Sequence, residues 1–180
     1  MKPPLFVGYL PKRTVVRPDW LRKASVTAIC SVSECISRGS ENRISEWKHN
    51  QWGFYDTESS ALEVVGHDLN EFDLYAYRLF PFRWIEEREE PFDIVPSSGE
   101  IGEAYTLLGY DIVTNSSGSY FECSPLSCNS AADQYTVNQF CLIDNPEQAY
   151  RVLMELSRAG NYEPGPYYLV EVYRKNIRAL

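Results

Sequence analysis

Phe121-Glu-Cys-Ser-Pro-Leu-Ser-Cys-Asn129 carries a Cys-x4-Cys pattern that the chain has already shown once, as Cys30-Ser-Val-Ser-Glu-Cys35. The two motifs use four of the five cysteines, and similar features surround each of them. A Gly-Tyr pair opens an apolar run before each motif, at Gly8-Tyr9 and at Gly109-Tyr110. A helix-start signal follows each, Phe54-Tyr-Asp-Thr-Glu-Ser-Ser-Ala61 in one half and Leu142-Ile-Asp-Asn-Pro-Glu-Gln-Ala149 in the other. Each half then closes on a tyrosine-rich strand pattern, ending Tyr77-Arg78 or Tyr173-Arg174. Self-similarity in a fixed order is the signature of a repeated unit. The pattern predicts an α+β fold of two related β/α halves, 1–85 and 100–180. A pseudo-twofold axis would pack them around a shared core with a mostly antiparallel or mixed sheet. Residues 86–99, rich in Glu, Pro and Ser, read as an acidic linker.

Leu5–Leu10 reads as a buried strand, and Pro18-Asp19 as a helical turn with Trp20 and Leu21 facing inward. Ser40 to His49 reads as a helix, and 57–65 as a second one stopped by Gly66. Phe72–Phe80 alternates as a strand that Pro81 should end. Ile101, Ala104, Tyr105 and Leu108 fall at i, i+3, i+4 and i+7, which predicts an amphipathic helix over 99–108 closed by Gly109. Tyr110–Thr114 and Ser119–Cys123 read as a hairpin, and Tyr135–Ile143 as a strand with Cys141 in its core. Asn145 caps a helix with Pro146 at its first position, an apolar face of Ala149, Val152, Leu153 and Leu156, and Gly160 as its stop. Tyr167–Arg174 is the closing strand.

Among the 180 residues, 44% are hydrophobic and 14% aromatic, enough to bury a substantial core. The formal net charge of −8 disfavours binding to nucleic acid or an anionic membrane, and suits a basic protein partner. No apolar run reaches the length of a membrane span, and Pro11-Lys-Arg13 interrupts the N-terminal one. A cytoplasmic protein is the expectation, in keeping with an odd number of cysteines.

Several residue types invite a chemical reading. Cys30, Cys35, Cys123 and Cys128 would form a four-thiolate zinc site if the halves bring them together, at the loose end of the usual ligand spacing. Disulfides, or thiols packed as small apolar groups, are the alternatives; otherwise no cofactor is expected. A thiol nucleophile at Cys123 or Cys128 needs a base, and the chain offers only His49 and His67. His49 stands beside Asn50 and Trp52, whereas His67 reads as a surface turn. Arg78 and Arg174, each after a tyrosine (Tyr77, Tyr173), are candidates to hold a small anionic ligand between the halves. Trp52 and Asn129 complete the candidate binding set. Phosphate-loop and dinucleotide glycine patterns are missing from the sequence.

Trp52-Gly-Phe-Tyr-Asp-Thr-Glu-Ser-Ser-Ala61, followed by Tyr75-Ala-Tyr-Arg78, resembles a segment of some ADP-ribosyltransferase-like domains. The companion catalytic His or Arg, Tyr and Glu do not follow in that order. The expectation is therefore a small acidic binding or inhibitory protein, an immunity- or antitoxin-type partner of a basic protein. Two other classes remain open: a small enzyme with its site between the halves, acting on an anionic or nucleotide substrate, and a zinc-stabilised interaction module.

Overall fold

A computed structural model describes residues 2–33, 49–66, 71–115 and 121–175. Its centre is an antiparallel sheet in the order β1-β4-β7-β6, made from Leu5–Lys12, Asp73–Ile85, Tyr167–Lys175 and Thr106–Thr114. Strand β5, Arg88–Pro91, pairs with β4, and a separate ribbon joins β2, Val15–Val16, to β3, Ala28–Ile29. Helices α1, Glu58–Val65, α2, Pro125–Cys128, and α3, Pro146–Ala159, complete the chain in order. The class is α+β, dominated by an antiparallel sheet.

Where local chemistry is strong, the elements follow from it. The Asn145 side chain accepts a hydrogen bond from the backbone of Gln148, Pro146 opens α3, and Gly160 ends it in the left-handed conformation. Ala149, Val152, Leu153 and Leu156 are its buried face, as their spacing requires. Thr57 caps α1 in the same way through the amide of Ser60.

Four readings are corrected. The helix expected over 99–108 is absent: 99–105 form no helix, 106–108 open the strand Thr106–Thr114, and Gly109 sits at a bulge with φ 144° rather than ending a helix. Of the four residues at helical spacing, Tyr105 and Leu108 are buried but Ile101 is half-buried and Ala104 exposed, and a turn from the Tyr105 amide to the Gly102 carbonyl precedes the strand. Pro81 does not end β4, which runs on to Ile85. It lies in the register shift between Leu79 and Arg83, where a missing backbone N–H costs no ladder bond. Tyr135–Ile143 is not a strand. It is a turn organised by Asn138, and only Ile143 makes a bridge, to Tyr110. Leu21 is buried but Trp20 is 48% exposed. The helix expected over 40–49 lies outside the described residues except at His49.

The buried residues form two clusters. One gathers around α1, β1 and the Tyr75–Tyr77 segment of β4, with Val170 and Val172 of β7. The other lies under α3 and takes Phe80, Phe82 and Trp84 of β4 with Leu169 of β7. Both clusters draw on 1–85 and on 100–180, and β4 pairs directly with β7, so the two stretches share one sheet and both clusters.

Candidate functional site at the junction of the cysteine motifs

Residues from both cysteine motifs meet, and a buried ion on either side holds them. Lys12 closes β1 at 1% exposure, and its ammonium donates to the carbonyls of Ser31 (2.8 Å), Val32 (3.1 Å) and Ser33 (2.8 Å). Asp111 on β6 is fully buried and faces the donors of the same tripeptide. Its Oδ2 accepts the Ser31 hydroxyl at 2.6 Å and the Val32 amide at 2.9 Å. Its Oδ1 accepts the Ser124 hydroxyl at 2.7 Å and the Ile112 amide at 2.9 Å. Burial pushes the Asp111 carboxyl above the usual range, and these four donors pull it back. Ser33 then donates to the carbonyl of Glu122 at 2.9 Å, with its hydroxyl 3.4 Å from the Cys128 sulfur. Segment 31–33 is thus clamped against 122–128.

The thiols themselves have separate surroundings. Cys30 is 2% exposed and lies 3.4 Å from the Tyr75 hydroxyl and 3.9 Å from a guanidinium nitrogen of Arg174. Desolvation raises its pKa despite those two neighbours, which leaves a protonated, weakly nucleophilic thiol. Cys123 donates to Asn129 Oδ1 at 3.2 Å, and Cys128 is half-buried beside Ser33. Cys141, read as a core strand residue, is buried in a turn at φ 62°, and burial pushes its thiol up to about 12. Cys35 and His67 lie outside the described residues. Among the described residues no three His, Cys, Asp or Glu side chains group as metal ligands, and no disulfide joins Cys30, Cys123, Cys128 and Cys141 to one another.

The two arginines sit on the central strands, each facing a carboxylate from the neighbouring one. Arg78 lies 3.9 Å from Glu171, which is opposite it in the β4·β7 ladder, and 3.3 Å from the Tyr173 hydroxyl. Arg174 lies 3.8 Å from Asp73 and stacks 5.0 Å from the Phe140 ring centre. Tyr77 is fully buried, its hydroxyl has no hydrogen-bond partner, and desolvation raises its pKa well above the usual value. Trp52 stacks on Phe121 with centroids 5.9 Å apart. The His49 ring meets Tyr55 edge-on at 4.8 Å, both ring nitrogens lack partners, and burial lowers its pKa. No carboxylate or thiol among the described residues orients this imidazole as a base.

Two organising residues escaped the sequence reading. Asn50 donates to the Val7 carbonyl (2.7 Å) and to Asp56 (3.1 Å), and accepts from the amides of Trp52 and Phe54. Asn138 donates to the Leu108 carbonyl and to Asp144, both at 2.7 Å, and accepts from the amides of Phe140 and Leu142. The signal was present as Asn-Gln six residues before each aspartate, Asn50-Gln51 before Asp56 and Asn138-Gln139 before Asp144. Beside the first of these turns lies an open cavity of about 390 Å3 lined by Asn50, Gln51, Asp56, Val95, Pro96 and Ser98. Comparison with family models, with curated proteins and with solved structures returns no match, so function must be read from the chain's own chemistry.

Proposed function

We propose that this chain is an acidic binding protein of the inhibitory or immunity type, which takes a basic protein as its partner. The hairpin joining β4 to β5 carries the proposal. Its two-residue turn places Glu86 and Glu87 at φ 46° and 65°, between the paired residues Ile85 and Arg88. Both positions favour asparagine or glycine, because a side chain in this region is strained. Glutamates there keep charge at the expense of stability, as function-bearing strain does. Both are exposed, Glu89 is exposed beside them, and the chain as a whole carries −8.

The test replaces the strained pair with the residues the turn favours, as Glu86→Asn with Glu87→Gly. The double variant should be more stable by about 1 kcal/mol in urea denaturation. It should also lose a basic protein that the parent chain retains by cross-linking in lysate. Retention of the same partner by both proteins, or capture of an acidic partner through this hairpin, would overturn the proposal.

We propose further that the frame is a duplicated unit. The support is a matched set of contacts: a bulge at Gly8 and at Gly109, an Asn-centred turn at 50 and at 138, and a bridge at Tyr9–Tyr55 and at Tyr110–Ile143. Capped helices at Thr57 and Asn145 then lead into the central strands β4 and β7.

A further inference from the structure

A second surface, opposite in charge to the rest of the chain, lies on the excursion between β1 and β3. Residues 12–23 hold Lys12, Arg13, Arg17, Arg22 and Lys23 against the single acid Asp19, in a chain with a net charge of −8. Lys12 is buried, but Arg13 and Arg22 are exposed, and Arg17 and Lys23 are half-buried. Two large apolar side chains stand among them, Val16 at 77% exposure and Trp20 at 48%. Five large hydrophobic residues are exposed among those described, and two of the five fall within this one turn.

The backbone here is fixed. Leu21 donates its amide to the Pro18 carbonyl, Arg17 donates its guanidinium to the Leu21 carbonyl at 2.8 Å, and Lys23 reaches the Tyr135 carbonyl at 2.8 Å. Val15 pairs with Ile29 and Val16 with Ala28, and on its other side β2 has no strand among the described residues. Leu21, Val26 and Ile29 anchor the excursion in the core, so the exposure of Trp20 and Val16 belongs to a held surface.

We propose that this excursion is a docking site for an acidic protein segment that carries an apolar side chain. Trp and Arg together on a held surface are the composition of an interface core. Charge selects among the occupants. A second copy meeting this patch about a twofold axis would set cation against cation. A nucleic acid, longer than the patch, would run onto the acidic remainder of the surface, where a polyanion is repelled. Arg13 is paired with Glu71 and Asp19 is exposed in the turn, so the cations are in local excess rather than alone; a short acidic segment stays within that excess, and its apolar residue covers Trp20 and Val16.

The probe is a fluorescein-labelled peptide of glutamates with leucine at every third position, followed by anisotropy against the full chain. Parallel titrations use single-stranded oligothymidine and vesicles of phosphatidylserine. The peptide should bind, more weakly as salt rises, and about tenfold or more weaker to Trp20→Ala and to Arg22→Glu. Circular dichroism checks that both variants remain folded. The Glu86→Asn, Glu87→Gly variant should bind the peptide as the parent does, which separates this surface from the acidic hairpin. Equal affinity in the Trp20 and Arg22 variants would overturn the proposal. So would tighter binding of the oligonucleotide or the vesicles, or a dimer that buries Trp20.

Discussion

Asp111 and Lys12 show how a buried charge becomes architecture. Each ion binds one side of the same tripeptide, the cation taking carbonyls and the anion taking donors. Removing the carboxylate as Asp111→Ala leaves the Ser31 and Ser124 hydroxyls and the Val32 amide without their acceptor. We expect a loss of about 3 kcal/mol in urea denaturation. The pH dependence has a definite sign. With the folded carboxyl above its unfolded value, the native state binds the proton more readily, so this group's stabilisation is fully present below the unfolded value and lost as pH rises through the folded one. Asp111→Asn cannot titrate, and its stability profile across that window should be flatter than the parent's. An unchanged slope would mean that burial does not govern this group.

At the scale of elements, the paired bulges make a sharper claim. A Cβ on Gly8 would stand 2.7 Å from both the Phe54 Cβ and the Tyr55 carbonyl oxygen. On Gly109 it would stand 2.8 Å from the Ile143 carbonyl oxygen and 2.9 Å from the Leu142 Cβ. Both residues also lie in the region of φ that disfavours a side chain, at 136° and 144°. Gly8→Ala and Gly109→Ala should each cost about 3 kcal/mol, comparable in size, because the same close approach and strain operate in both places. Denaturation midpoints read the two costs, and a large effect at one glycine with none at the other would contradict a duplicated frame. Asn50→Ala and Asn138→Ala belong to the same test, since each asparagine ties a turn to the carbonyl just before its bulged glycine.

For the whole molecule, the β4·β7 pairing is decisive. It is antiparallel over its length and joins the strand that closes one stretch to the strand that closes the other. Tyr168, Val170, Val172 and Leu142 pack in the same cluster as Val7, Phe54 and Tyr77. Residues 1–99 alone would expose the β7-facing edge of β4 and lose those apolar partners, so they should not fold as an independent unit. Near-ultraviolet circular dichroism and tryptophan emission of the full chain should trace one coincident transition. Two separated transitions, or a dispersed amide spectrum from residues 1–99, would show instead that each stretch has a core of its own.

From sequence alone come the elements whose causes are local. The cap Asn145, Pro146, the apolar stripe and Gly160 specify α3 without reference to anything distant, and Thr57 with Gly66 does the same for α1. The sequence also showed the order of matched signals, because Gly-Tyr, Cys-x4-Cys and Tyr-Arg can be read off a single strand of text. What Gly109, Pro81 and Asn138 do depends on contacts made across the fold. A bulge glycine and a helix-ending glycine look alike until a partner strand is present, and Pro81 is tolerated only because its neighbours lie in a register shift. The junction of Lys12, Ser31–Ser33, Asp111 and Ser124 was illegible for the same physical reason. Its partners lie between 13 positions apart (Asp111 and Ser124) and 80 positions apart (Ser31 and Asp111), and a lysine and an aspartate read alone look like surface charges.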